Sequence, residues 1–149
     1  MFVRCLIPLL LMAICLSGCF NTNLVGHMVG IIPVIENDDF AIVHVARPTD
    51  FISCGIFMNI QLNNKDFFML ACREQISFRV PANKTITISQ TASSIPDYID
   101  IYPEKGKEYY FENDCNHYAC WLHQVSKDDF FKDAERCVKY IKLGFPDKR

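Results

Sequence analysis

The chain has 149 residues, with 15 Lys and Arg against 17 Asp and Glu, so its formal net charge is −2. This length is enough for one domain with a buried core. Because the basic residues are scattered rather than clustered, nucleic acid and anionic membrane surfaces are poor partner candidates.

The chain begins with a pattern typical of a bacterial lipoprotein signal. Arg4 supplies a positive charge, residues 6–16 are apolar apart from one proline, and Leu16-Ser17-Gly18-Cys19 matches a lipobox. A membrane-spanning helix needs about 20 apolar residues, so this segment is too short to cross a bilayer. We expect residues 1–18 to be a signal peptide that is removed.

Cys19 is the predicted lipidation site. We expect its thiol to receive a diacylglyceryl group and its freed amine to be acylated as well. One acyl chain holds a protein only marginally, whereas two or three hold it stably. Phe20 stands where an Asp favours retention in the inner membrane, so the periplasmic face of the outer membrane is the expected location. An ordinary secretory peptide that happens to end at a cysteine is the alternative.

Residues 19–39 are predicted to be the lipidated cysteine and a tether, and residues 40–149 the globular domain. The tether is polar at 21–23, and Pro33 disfavours regular strand pairing. The stretch 24–35 is too apolar for a pure linker, so we expect part of it to be capable of packing on the domain.

Alternating apolar and polar residues, separated by turn signals such as Asn63-Asn64 and Lys105-Gly106, predict a series of strands. The predicted strands cover residues 41–46, 56–62, 66–72, 75–80, 85–90, 98–102, 108–112 and 120–125. Short strands joined mostly by short loops favour a mainly β fold, either an antiparallel β-sandwich or an open barrel.

The spacing of apolar residues changes near the end of the chain. Ser126 begins a pattern that resembles a helix N-cap, and Gly144 is typical of a helix end. Between them, apolar residues recur three to four positions apart. These positions are Phe130, Ala134, Val138 and Ile141. We therefore predict one C-terminal α-helix over residues 126–143, with its apolar side packed on the sheet.

Five of the eight cysteines follow the predicted lipidation site. The expected compartment is oxidising, so disulfides are the expected state. Cys54 and Cys72 flank a predicted hairpin that would bring their sulfurs together. Cys115 and Cys120 flank a short loop in the same way. Cys137 is then the odd cysteine, placed on the predicted helix as a buried apolar thiol.

Three short motifs carry a family resemblance. They are Ala46-Arg47-Pro48, Phe78-Arg79-Val80-Pro81 and Gly106-Lys107-Glu108-Tyr109-Tyr110-Phe111. Through them, residues 41–125 resemble an uncharacterised family of small bacterial lipoproteins that share a domain of unknown function. The resemblance implies a compact β-sandwich and carries over no catalytic residue. The chain departs from the family in its many cysteines and in Asn83, where a glycine is usual.

One cluster has side chains suited to a metal. Cys115, His117, Cys120 and His123 offer the thiolate and imidazole groups that zinc or copper prefers. The spacing differs from common zinc-finger patterns, and a Cys115–Cys120 disulfide would remove both thiolates. We therefore predict no metal site and keep a metal-binding or redox protein as the alternative function.

Catalytic motifs such as a nucleophile elbow or a Gly-rich phosphate loop are missing from the sequence. His44 is interpreted as a hydrogen-bonded or solvated strand residue. Asp97 and Asp100 flank Tyr98 and are interpreted as solvated, with a cation site or paired carboxylates as the alternative. A hydrolase would require His44, Asp97 or Asp100 to converge in one pocket.

The sequence thus predicts a lipid-anchored β-sandwich that is more typical of a binding or structural module than of an enzyme. We expect it to need no cofactor and to bind an envelope protein or glycan through loops or an exposed sheet face. Its contact with the membrane is expected to be the lipid on Cys19.

Overall fold

The computed structural model describes residues 25–31, 35, 39–48, 54–91, 97–116, 118–137, 139–143 and 145. These residues form two packed β-sheets and one helix. The strands are β1 (His27–Met28), β2 (Phe40–Arg47), β3 (Met58–Leu62), β4 (Lys65–Leu70), β5 (Glu74–Pro81), β6 (Ile86–Thr91), β7 (Asp97–Ile101), β8 (Glu108–Cys115), β9 (Cys120–Gln124) and β10 (Lys139–Leu143), and the helix is α1 (Lys127–Ala134). Strands β2 to β9 confirm the eight predicted strands, with ends that differ by a few residues.

The predicted mainly β sandwich is confirmed. The first sheet has the order β1-β4-β3-β6-β7 and is antiparallel throughout. The second sheet has the order β10-β5-β2-β8-β9. It is mixed rather than purely antiparallel, because β2 pairs in parallel with β8 and β5 pairs in parallel with β10. The described strands do not close into a barrel.

Alternating side chains on both sheets build the core between them. In β2, for example, Ala41, Val43 and Val45 point inward and are fully buried. A β-bulge between β3 and β4 shifts the register after Ile60, so that the adjacent Phe67 and Phe68 are both buried. The other large apolar side chains that are fully buried in this core are Met58, Ile60, Leu70, Ile76, Phe78, Ile88 and Phe111.

Helix α1 covers part of the outer side of the second sheet. Its Phe130 and Ala134 pack against Ala46 and Tyr110 in a second, smaller apolar cluster. The predicted N-cap is confirmed, since Ser126 Oγ accepts a hydrogen bond from the Asp129 backbone N–H over 3.1 Å.

The predicted helix over residues 126–143 is wrong in its second half. The helix ends at Ala134, and Lys139–Leu143 forms strand β10, which pairs with the edge of β5. Ile141 and Leu143 are two residues apart and face the core, so this segment also satisfies the spacing of a strand. Pairing gives the β5 edge a hydrogen-bonded neighbour, which a longer helix would have left exposed. Val138 lies outside the described residues.

Part of the predicted tether over 19–39 packs on the domain, as the apolar character of residues 24–35 indicated. Residues His27 and Met28 pair with Met69 and Phe68 of β4. The backbone N–H groups of residues 29 and 30 both donate to the Phe67 carbonyl over 3.2 Å. Cys19 and the predicted signal peptide lie outside the described residues.

The sandwich has two ends. We call the end at which β1 begins the entry end, and the opposite end the far end. The entry end holds Arg47, Glu74 and both disulfide-closed loops, because β8 runs parallel to β2 and places Cys115 beyond Arg47. The far end holds three turns. They are Asn63-Asn64, Asn83-Lys84 and Lys105-Gly106, and the left-handed φ values of 51° at Asn63, 61° at Asn64, 58° at Asn83 and 73° at Gly106 suit residues that tolerate this conformation.

Candidate functional site

The outer side of the first sheet carries a continuous set of polar side chains. Alternation turns Asn59 and Gln61 of β3 away from the core, and it does the same for Thr87 and Ser89 of β6. We call this set and its neighbours on β4 and β7 the polar face. Its members are Asn59, Gln61, Asp66, Thr87, Ser89, Tyr98 and Asp100.

Asp66 is the centre of a hydrogen-bond network on the polar face. Gln61 Nε2 donates to its Oδ1 over 2.9 Å, and Asn59 Nδ2 donates to the same oxygen over 2.6 Å. These bonds favour the carboxylate and lower the pKa of Asp66 below its ordinary value of 3.8. Ser89 Oγ donates to Gln61 Oε1 over 3.2 Å and extends the network to β6. The polar groups therefore have fixed directions before any ligand arrives.

Strand β7 adds an aromatic ring and a second carboxylate to the polar face. Tyr98 lies opposite Ser89 in the sheet and has 67% of its surface exposed. Thr87 Oγ1 donates to Asp100 Oδ1 over 2.6 Å. The face thus combines an exposed ring with oriented amide, hydroxyl and carboxylate groups, which is the chemistry of a surface that recognises a polar ligand.

Asp97 and Asp100 do not form a pair of carboxylates. They are three residues apart on a strand, so their side chains point to opposite sides of the sheet. Asp97 Oδ2 accepts a hydrogen bond from the Leu122 backbone N–H over 2.7 Å and ties β7 to β9. Asp100 bonds Thr87 on the polar face instead. Neither arrangement supports the alternative of a shared cation site.

A second polar cluster lies on the outer side of the other sheet, beside α1. His44 is buried there, which agrees with a hydrogen-bonded rather than a solvated residue. Its Nδ1 lies 2.6 Å from Ser77 Oγ, and Ser77 donates to the Tyr140 hydroxyl over 2.9 Å. The imidazole stacks on Tyr110 with ring centroids 4.7 Å apart. Burial lowers the pKa of His44 below 6.5, although the Glu108 carboxylate 4.0 Å away opposes this effect.

The residues around His44 do not form the hydrolase site that was kept as an alternative. Asp100 belongs to the outer side of the first sheet, whereas His44 belongs to the outer side of the second. Ser77 has a hydroxyl in reach of the imidazole, but its side chain is fully buried. A nucleophile needs access to its substrate, so the Ser77–His44 contact fits a structural role.

Both predicted disulfides are confirmed. Cys54 is bonded to Cys72, and Cys115 is bonded to Cys120 at the end of the β8–β9 hairpin. Each bond closes a loop at the entry end. The sulfurs of the second pair are therefore not thiolates in this structure.

The alternative metal cluster would need the two sulfurs that form the Cys115–Cys120 disulfide. His123 Nε2 instead lies 3.7 Å from Asp114 Oδ2 across the hairpin. His117 lies outside the described residues. Among the residues that the structure describes, no group of three or more Cys, His, Asp or Glu side chains is arranged to hold a metal ion.

Cys137 follows α1 rather than lying on it, because the helix ends three residues earlier. It is the free cysteine of the described segments, and it is half-buried. Its Sγ lies 3.8 Å from the Arg47 carbonyl and 3.6 Å from the Glu74 carbonyl. Burial raises the pKa of the thiol to about 11, so Cys137 is an unreactive thiol at neutral pH.

A buried carboxylate fastens the N-terminal segment to the sandwich. Glu74 has 2% of its surface exposed, and its two oxygens accept the Gly26 backbone N–H over 3.0 and 2.9 Å. Ala71 N–H donates over 3.0 Å, and Lys139 Nζ lies 3.1 Å away. A side chain at Gly26 would place its Cβ 2.6 Å from the Met69 carbonyl oxygen, so only glycine permits this close approach.

Sequence reasoning missed both the polar face and the Glu74 attachment. The alternation in β3 and β6 was sufficient to identify Asn59, Gln61, Thr87 and Ser89 as one outward face. It gave no indication that β3 and β6 are neighbours. The attachment of Glu74 to Gly26 joins residues 48 positions apart, and no local pattern marks it.

Comparisons with known proteins add no family assignment. No protein-family model, curated protein or solved structure matches this chain. Within the described segments, no helix has both the length and the apolar character needed to cross a membrane. The lipobox that ends at Cys19 and the geometry of the polar face therefore remain as the evidence for a function.

Glu112 is a buried carboxylate whose pKa is raised. It lies on the outer side of β8, buried, opposite Ala46 and His123 in the neighbouring strands. Burial raises its pKa from 4.5 to about 7, and the negative charges of Asp133, Asp114 and Asp129 add to this effect, while Arg136 opposes it.

Replacing Glu112 with Gln should change how stability depends on pH. Between about pH 4.5 and about pH 7 the folded protein binds a proton at Glu112 that the unfolded chain has lost, so the free energy of unfolding falls as pH rises. The Glu112→Gln variant lacks this contribution. Urea unfolding measures the free energy of unfolding of both proteins across this range. The value for the variant minus the value for the wild type should increase as pH rises and become constant above about pH 7.

Glu104→Gln, at an exposed turn on the far end, is the matched control and should follow the wild-type pH profile. A difference between Glu112→Gln and the wild type that does not change with pH would contradict the raised pKa.

Proposed function

We propose that this chain is a lipid-anchored, periplasm-facing envelope protein that binds a glycan through its polar face and catalyses no reaction. The observation that carries the proposal is the hydrogen-bond network around Asp66, which extends across β4, β3 and β6 to Ser89, beside the exposed Tyr98 of β7. The anchoring part depends on the lipobox ending at Cys19.

A glycan fits this face better than a protein partner does. Sugars present many hydroxyl groups that both donate and accept, and the face offers amides, hydroxyls and carboxylates in fixed directions. Protein interfaces are typically centred on buried aromatic or apolar anchors, whereas Tyr98 is the single aromatic member of the polar face.

Replacing Cys19 with Ser should release the protein into the soluble periplasmic fraction. The wild type should remain with the membranes, because two or three acyl chains hold a protein stably. Fractionation of a Gram-negative host with immunoblotting measures the distribution, and intact-mass analysis should give a wild-type chain that starts at acylated Cys19.

Alkylation of the denatured, unreduced protein before mass analysis counts the free thiols in the same sample. One alkylated thiol, Cys137, agrees with two disulfides. A Cys19→Ser variant that stays on the membrane and still carries acyl chains by intact mass would overturn the anchoring proposal. Three alkylatable thiols would favour the metal-binding or redox alternative at Cys115 and Cys120.

Replacing Asp66 or Tyr98 with Ala should weaken glycan binding by about tenfold or more, since one hydrogen bond to a charged group contributes about 1.5–3 kcal/mol. Co-sedimentation of the mature protein with purified peptidoglycan sacculi measures the binding. Asp66→Ala removes the carboxylate and the orientation of both amides, and Tyr98→Ala removes the exposed ring.

Glu104→Ala is the control, because it removes an exposed carboxylate far from the polar face and should bind as the wild type does. Failure of the wild type to sediment with sacculi would rule out this glycan as ligand. Equal losses in Glu104→Ala and Asp66→Ala would show that the polar face is not the binding surface.

A further inference from the structure

The direction of β1 determines where the preceding chain leaves the domain. Gly26 is bonded to Glu74 at the entry end. From there β1 runs antiparallel to β4, and β4 itself runs toward the entry end. Gly26 and the start of β1 therefore lie at the entry end, and the preceding chain joins the domain there.

The length of chain between the lipid and the domain is short. Seven residue steps separate Cys19 from Gly26, and a fully extended chain covers about 3.3–3.6 Å per residue, or at most about 25 Å here. Strand β2 has eight residues and is itself about 26 Å long. A tether of this length keeps the lipid no farther from Gly26 than about the length of the sandwich.

The entry end also presents apolar and aromatic side chains to solvent. Val25 is 56% exposed, Ile56 is 47% exposed and Tyr118 is 91% exposed. Ile56 is held close to the entry end by Arg47, whose Nη1 donates to the Ile56 carbonyl over 2.8 Å. Tyrosine is enriched where proteins meet the membrane interface, because its ring is apolar and its hydroxyl remains hydrated.

The disulfides fix the two loops that carry these side chains. Cys54–Cys72 closes the loop that contains Ile56, and Cys115–Cys120 closes the hairpin loop that contains Tyr118. Within the hairpin loop, Asn116 Oδ1 accepts the Tyr118 N–H over 2.8 Å. The loops therefore present Ile56 and Tyr118 with little conformational freedom left to lose on contact.

The charges at this end are mixed. Arg136 lies 3.7 Å from Asp133, and Lys139 is paired with the buried Glu74. Attraction to anionic headgroups is therefore not the basis of a membrane contact here. Burial of the apolar side chains and of the tyrosine ring would stabilise the membrane contact instead.

We propose that the entry end, through Ile56, Tyr118 and Val25, lies against the surface of the membrane that holds the Cys19 lipid. This inference rests on the proposed lipidation. It directs the far end away from the bilayer and leaves the polar face, which lies along the side of the sandwich, accessible from the periplasm.

Tryptophan fluorescence in vesicles tests the orientation. The chain has one tryptophan, so Trp121→Phe provides a silent background for Ile56→Trp at the entry end and Lys84→Trp at the far end. The lipidated proteins are reconstituted in phosphatidylethanolamine–phosphatidylglycerol vesicles that carry a nitroxide on the headgroup. Ile56→Trp should lose most of its fluorescence relative to unlabelled vesicles, and Lys84→Trp should keep most of it.

Vesicle flotation of the same samples separates the two proposals. Proteins that float but show equal quenching at both positions, or stronger quenching of Lys84→Trp, overturn the orientation and leave the anchoring intact. Proteins that do not float overturn the anchoring, and the orientation with it. If Ile56→Trp does not fold, Tyr118→Trp reports on the same end and carries the same expected and contrary results.

Discussion

The buried carboxylate of Glu74 connects parts of the chain that the rest of the fold would leave separate. It receives hydrogen bonds from Gly26 and Ala71 and pairs with Lys139. A buried carboxylate without hydrogen-bond partners costs several kcal/mol. These contacts are therefore required once Glu74 is inside, and they fix β1, the β4–β5 turn and β10 around one point at the entry end.

The outer sides of the two sheets differ in what covers them. Helix α1 and β10 place their side chains around the outer side of the second sheet, where His44 and Glu112 are buried. On the outer side of the first sheet Asp66, Tyr98 and Asp100 are exposed. In the proposed function, the entry end therefore belongs to the membrane and the polar face to the ligand. The two roles are assigned to surfaces that do not overlap.

The parts of the fold that depend on local pattern were predictable. Alternation identified strands β2 to β9, and the flanking positions of Cys54 and Cys72 around a hairpin identified one disulfide. The C-terminal helix was predicted too long because Phe130, Ala134 and Ile141 satisfy helical spacing, whereas Ile141 and Leu143 also satisfy the spacing of a strand. Only the free edge of β5, which is distant in sequence, decides between the two.

The candidate site could be predicted only in part. Asn59, Gln61 and Thr87 were identifiable as outward-facing, but the Asp66 network depends on a register shift between β3 and β4. Asp97 and Asp100 were interpreted as solvated, and the alternative of a carboxylate pair fails because strand alternation turns them to opposite sides of the sheet. Non-local pairing, which one sequence does not display, accounts for the network that was missed.

Native-state hydrogen exchange at the Gly26 amide tests the attachment most directly. The account predicts slow exchange, with protection approaching that of the core strands, because this N–H is buried and bonded to Glu74. Glu74→Gln should accelerate exchange at Gly26 by about tenfold or more, which corresponds to the loss of about 1.5 kcal/mol from a charged hydrogen bond. Exchange at Gly26 as fast as in an unfolded chain, and unchanged in Glu74→Gln, would contradict the account.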